Sequence, residues 1–259
     1  CSSDLCLLTE TVKNKLFVKW NQTQKIFENL AHIHQLFETQ VQQIPDTIAL
    51  IDEYQQLSYQ QLNTIANQLA YYLQKQGIQP EQTIGICLER SCEMVIALLA
   101  ILKVGATYIP LDPAYPKERL NYIINDAKLS LIITKKYIDF MQFKVPHILN
   151  LDEQWSVITQ QKIDHIFTQI TLDNLAYIIY TSGSTGQPKG VQISHRALSN
   201  FLLGINQTLN STPSDILLSV TSLSFDIAAL ELYLPLMVGA RVIIASQQTI
   251  KNSQKLQQQ

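Results

Sequence analysis

The chain has 259 residues, with 19 basic and 21 acidic side chains, a formal net charge of −2, and 46% apolar against 15% charged residues. Such a composition excludes a disordered tail, which needs low hydrophobicity and high net charge. It also offers no basic excess for general attachment to nucleic acid or an anionic membrane. The length fits one large α/β domain or two smaller ones, and the 29 glutamines, scattered over otherwise periodic segments, read as surface filler. Residues 1–30 lack glycine and proline and read as helix or linker with apolar anchors such as Leu16, Phe17 and Trp20. At residues 57–62 Ser58 predicts an N-cap, Gln61 its capping-box partner, and Leu57 with Leu62 a hydrophobic staple. Leu62, Ile65, Ala66, Leu69, Ala70 and Leu73 then mark one face of a helix, closed by Gly77.

Residues 83–88 predict a short buried strand. Ser91 caps a helix that runs to Val104 and stops at Gly105, and residues 108–113 are extended. Pro116 is expected at the first position of the next helix, which continues to about Asp126. Residues 131–134 predict a strand, and 135–170 are the least regular part. Residues 175–180 form a solid apolar run, hence a fully buried strand. A glycine-rich loop follows, then Ser194 caps a helix from His195 to about Asn206. A strand at 216–220, a helix at 227–237 and a strand at 241–245 complete the pattern. Strands that are apolar on both faces, alternating with helices, predict layered sheets covered by helices, with ligands beyond the carboxyl ends of the strands.

Neither end carries a start or stop signal, so the chain reads as part of a longer protein. No signal peptide is evident. The longest uninterrupted apolar run, residues 94–102, is nine residues where about 20 are needed to span a bilayer, so a cytoplasmic location and no membrane partner are expected. The four cysteines form no C-x-x-C pair, and no metal site is expected.

The chemistry concentrates at residues 181–190: Thr181, Ser182, Gly183, Ser184, Thr185, Gly186, Gln187, Pro188, Lys189 and Gly190. Glycines let backbone N–H groups turn toward an anion, hydroxyls donate to its oxygens, and Lys189 adds a positive charge. The spacing is not that of a Walker A loop. Asp226 stands at the start of the helix at 227, where an N-cap role is the plain alternative to a binding one. Glu231 reads as a member of that helix's local polar network, His195 as structural, and His32 and His34, two apart, share no helix face.

Residues 180–190 resemble the phosphate-binding motif of the adenylate-forming enzymes. Within that superfamily they resemble the amino-acid adenylation domains of nonribosomal peptide synthetases. Residues 57–63, 102–113 and 224–231 resemble further motifs of that family in the same order, and residues 7–21 resemble the linker after a condensation domain. The resemblance implies the layered α/β fold of the large N-terminal subdomain of these enzymes, cut short, with residues 1–30 as linker and 31–259 as the N-terminal part of the adenylation domain. It implies activation of an amino acid with ATP and Mg²⁺ to an aminoacyl adenylate. The acyl group then passes to a phosphopantetheine thiol on a peptidyl carrier domain, beside a condensation domain. Thr181, Ser182, Gly183, Ser184, Thr185, Gly186, Lys189 and Gly190 would hold the nucleotide phosphates, with Lys189 as the catalytic cation. Asp226 would pair with the substrate ammonium, and Phe225, Ile227 and Leu230 would line the side-chain pocket. The Mg²⁺-binding acid, ribose contacts and lid lysine of the family have no counterpart in these residues, so the chain alone is expected to bind nucleotide poorly and not to turn over. A ligase for acyl or aryl acids and a non-catalytic remnant are the alternatives.

Overall fold

The computed structural model describes residues 8–25, 27, 30–136, 147–161, 168–182 and 187–252. These fall into two compact units, divided between Leu30 and Ala31. In the first, Thr9 caps helix α1 (Glu10–Phe17), which buries none of its residues, and a short 3₁₀ turn follows at Lys19–Asn21. Lys15 lies 5.3 Å over the ring of Trp20.

The second unit begins with α2 (Ile33–Gln43), β1 (Ile48–Ile51), β2 (Gln56–Ser58) and α3 (Tyr59–Lys75). The capping box forms as read: Ser58 Oγ accepts from Gln61 N at 3.2 Å, and Gln61 Oε1 accepts from Ser58 N at 2.8 Å. Leu62, Ala66, Leu69, Ala70 and Leu73 are buried along one face, and Gly77 takes the left-handed conformation (φ 84°) that ends the helix. Next come β3 (Thr83–Cys87), α4 (Cys92–Lys103), β4 (Thr107–Pro110), α5 (Lys117–Asp126) and β5 (Leu131–Thr134). Pro116 is the N-cap of α5 rather than its first residue: its ψ of 145° is extended, so the helix begins one position later. In the stretch read as least regular, β6 (Ile148–Asn150) and α6 (Leu151–Ile158) are formed. They are short, and among the described residues β6 pairs with β5 alone.

Then follow β7 (Leu175–Thr181), β8 (Lys189–Ser194), α7 (His195–Leu209), β9 (Ile216–Ser219), α8 (Ile227–Val238), β10 (Arg241–Ile244) and α9 (Gln247–Ile250). β8 was not legible as a strand: its outer positions are mostly exposed, so it lacks the apolar run. The strands make two sheets, one ordered β2-β1-β10-β9 and one β6-β5-β3-β4-β7-β8. Both are parallel except for the β1–β2 and β7–β8 hairpins.

Helices α3 and α8 pack on the four-stranded sheet, α4 packs on the six-stranded one, and the helices pack on each other. One continuous core therefore runs through the interior, and a second, smaller cluster gathers α5 against the other face of the six-stranded sheet. Every residue of α4 from Met94 to Lys103 is buried. Its buried Lys103 pairs with Glu38 of α2 and donates to Asn63 of α3 at 2.9 Å. The carboxylate of Asp52 joins the sheets from outside the core, accepting from Cys92 N at 2.8 Å at the start of α4 and from Tyr54 N and Gln55 N at 2.9 Å. Burial works to raise its pKa, but the backbone donors win and hold it below the ordinary value. Cys87 and Cys92 are buried free thiols. Among the described residues no helix is long and apolar enough to cross a membrane.

Candidate functional site

The carboxyl ends of β4 and β7 open toward the turn between β9 and α8, and between them lies a cleft of about 680 Å³. Thr181 and Ser182, at the head of the glycine loop, border it together with Phe225 and Asp226. The cleft thus brings together two sequence features that lie 44 positions apart in the chain, from Ser182 to Asp226. Residues Gly183, Ser184, Thr185 and Gly186 lie outside the described residues. Where the chain returns, the antiparallel register sets Lys189 opposite Thr181 and Gly190 opposite Tyr180, so each pair shares a sheet face. Lys189 is exposed and is not among the residues bordering the cleft. At Gly190 the ring of Tyr180 crosses the strand: an added Cβ would meet Ile178 Cγ2 at 2.9 Å and Tyr180 Cζ at 3.1 Å. The glycine is needed for that close approach.

Tyr180 is fixed at both ends. Its hydroxyl donates to Asp126 Oδ2 at 2.6 Å, and its carbonyl accepts from Arg119 Nη2 at 3.3 Å. Burial, then the Asp126 hydrogen bond, push its phenol pKa up.

The opposite wall is held by a polar network that the sequence reading anticipated only in part. Glu231 reaches back from α8 and accepts from Val220 N and Thr221 N at 2.9 Å, Thr221 Oγ1 at 2.6 Å and Ser219 Oγ at 3.1 Å. Four donors on one carboxylate stop the chain at the end of β9 and aim it at α8. Arg90, from the β3–α4 turn, donates to Ala245 O and Ser219 Oγ at 2.8 Å and to Thr221 O. It therefore ties the ends of β9 and β10 to the other sheet. Burial lowers the Arg90 pKa, and the nearby Glu231 charge partly offsets that. Ser222 Oγ, 3.4 Å from Asp112 Oδ2, adds a second link.

Asp226 sits at the N-cap position of α8 but does not cap it: its φ/ψ of −61°/−32° is already helical, and its side chain makes no cap hydrogen bond. Capping needs an extended residue there. The carboxylate is instead exposed on the cleft beside Tyr177. Burial first, and the Asp226 charge second, raise the Tyr177 pKa to about 12. Phe225 is 63% exposed on the cleft wall. Ile227 is 45% exposed and Leu230 packs on the core, and neither borders the cleft. Tyr115, Arg119 and Tyr177 also border it. They lie on separate elements, and no local spacing marks them.

His195 is fully buried and sits with His32 and His34, ring centroids 4.9 and 6.0 Å away. The two residues that share no helix face thus meet each other and His195 through tertiary packing. Among the described residues no group of three or more His, Cys, Asp or Glu side chains could hold a metal ion.

Comparison with known proteins agrees with this geometry. Residues 37–258 match the family described as AMP-binding enzyme. The dimodular nonribosomal peptide synthase of Bacillus subtilis is 44% identical over 257 residues, 97% of this chain and 11% of that protein. Tyrocidine synthase 3 of Brevibacillus parabrevis is 38% identical over 245 residues, 94% of this chain and 4% of its own length. The chain thus spans a small part of these curated relatives. Among solved structures, the nonribosomal peptide synthetase FmoA3 superposes with a TM-score of 0.77 at 27% identity, over 86% of this chain and 24% of that one. The N-terminal subdomain of Klebsiella oxytoca NpsA, solved with 3-hydroxybenzoyl-AMSN, gives 0.75 at 29%, over 84% and 54%. With two helix-flanked sheets, a glycine-rich hairpin at the cleft and a family match over most of its length, this chain belongs to the AMP-binding enzymes.

Proposed function

We propose that the protein takes part in activating an amino acid within a nonribosomal peptide synthetase. The substrate carboxylate attacks the α-phosphorus of ATP, forming aminoacyl adenylate and releasing pyrophosphate. The thiol of a carrier-bound phosphopantetheine then displaces AMP to form the thioester. On this reading residues 31–259 belong to the adenylation domain, residues 1–30 to the linker from a condensation domain, and the protein works in the cytoplasm. Both steps redistribute charge, so fixed donors and positioning dominate over covalent catalysis by the protein. Residues 181–186 with Lys189 and Gly190 bind the polyphosphate through amides, hydroxyls and one ammonium. The Asp226 carboxylate takes the substrate ammonium, leaving the substrate carboxylate free to react, and Phe225 faces its side chain; Ile227 and Leu230, which lie off the cleft, are given no part in the pocket. Mg²⁺, which accompanies ATP, is assigned no ligand among the described residues.

The observation that carries the reading is the shared cleft of Asp226 and the head of the glycine loop. A charge-assisted hydrogen bond contributes roughly 1.5–3 kcal/mol. In a full-length module carrying this chain, Asp226→Ala should therefore raise the amino-acid KM in ATP–pyrophosphate exchange roughly 10- to 150-fold, and Lys189→Ala should suppress exchange at any amino-acid concentration. Unchanged exchange in both variants would overturn the proposal. A second reading, a ligase for aryl or other carboxylic acids, draws on the likeness to NpsA. Adenylation of an acid without an ammonium group, at a rate indifferent to Asp226→Ala, would favour it.

A further inference from the structure

Two carboxylates, Asp112 and Asp226, border the cleft, so an entering phosphate meets like charge. Among the described residues on its walls one side chain is cationic, Arg119 in the first turn of α5. Its guanidinium lies 4.0 Å over the Tyr115 ring. Nη2 makes a long bond, 3.3 Å, to the Tyr180 carbonyl, and the buried Nε has no hydrogen-bond partner. An arginine retained for an ion pair looks different: Arg196 holds Asp173 through Nε at 2.7 Å and Nη2 at 3.2 Å. Arg119 is stacked and oriented, yet under-bonded, and an unmade bond at a buried donor costs stability. The fold alone gains little from such a placement.

We infer that Arg119 binds a phosphate oxygen of the nucleotide, a role that rests on the adenylate-forming reading above. Its planar fork suits oxyanions and it stays charged at every working pH. Stacking on Tyr115 restricts its rotation. Its bond to Tyr180 sets it directly behind Thr181 and Ser182, where the glycine loop begins. It supplies the positive charge that two carboxylates on the same walls would otherwise deny the ligand.

The test is calorimetric binding of AMP and of adenosine, at constant ionic strength, to a full-length synthetase module carrying this chain and to its Arg119→Met and Arg119→Lys variants. Arg119→Met should weaken AMP roughly 10- to 150-fold and leave adenosine unchanged, and Arg119→Lys should recover part of the loss. Equal AMP affinity for wild type and Arg119→Met, or equal losses for AMP and adenosine, overturns the assignment. Should Arg119→Met fail to fold by circular dichroism, Arg119→Gln against Arg119→Lys decides instead: only the neutral variant should lose AMP. A wild-type full-length module that binds neither AMP nor adenosine defeats the adenylate-forming reading and this role with it. AMP binding that is insensitive to residue 119 defeats this role alone.

Discussion

Protonation of His195 should make the fold acid-sensitive well above the carboxylate range. The ring is fully buried, and neither nitrogen has a hydrogen-bond partner. Burial, then the neighbouring His32, lower its pKa from 6.5 to about 3. The unfolded chain therefore binds a proton that the folded chain refuses, and stability is full above pH 6.5 and drains away as pH falls toward 3. Each pH unit inside that window is worth about 1.4 kcal/mol, so about 2 kcal/mol is lost between pH 7 and pH 5. In a domain whose whole stability is of order 5–15 kcal/mol, that is a large fraction. Urea unfolding at pH 7, 6 and 5 measures it directly. His195→Phe fills the same space with a ring that cannot ionise, and its stability should decline less over this range by the same 2 kcal/mol or so. Parallel pH slopes for wild type and variant would refute the argument, because they would mean that some other group takes the proton.

Three further outcomes are expected. Lys103→Met should destabilise the fold by about 3–5 kcal/mol by removing the ammonium that Glu38 pairs with next to the core, while Lys103→Met with Glu38→Leu should recover most of the loss; a double-mutant cycle in urea checks this, and additivity would count against a coupled pair. Gly190→Ala should cost about 1–3 kcal/mol, because its Cβ would press on Ile178 and Tyr180, and the loss of melting temperature should be accompanied by weaker nucleotide binding. Glu231→Ala strips the acceptor from Val220 and Thr221 at roughly 1–3 kcal/mol for each donor left unsatisfied. It should also raise the amino-acid KM more than it changes the KM for ATP, since the turn it releases carries Asp226.

Much of the fold could be read locally because local chemistry fixed it. The capping box at Ser58, the left-handed closures at Gly77 and Gly105, and the unbroken apolar strands β5 and β7 need only neighbours in sequence. β8 and β6 escaped because their evidence lies in the partner strand: one is largely exposed and the other is three residues long. Asp226 stands out in the sequence as a candidate, but its freedom from capping depends on a backbone angle that no residue type announces.

The alternation of strand and helix, the run of glycines, hydroxyls and a lysine at residues 181–190 and the family that such motifs resemble were all legible in the sequence. Each of these resides in short contiguous segments. Which distant groups share a space is a matter of packing alone: Asp226 with Thr181, Arg119 behind Tyr180, and three histidines in one buried cluster. Those meetings follow from sheet order and helix packing, in which residues far apart along the chain become neighbours through the apolar surface that their elements bury together.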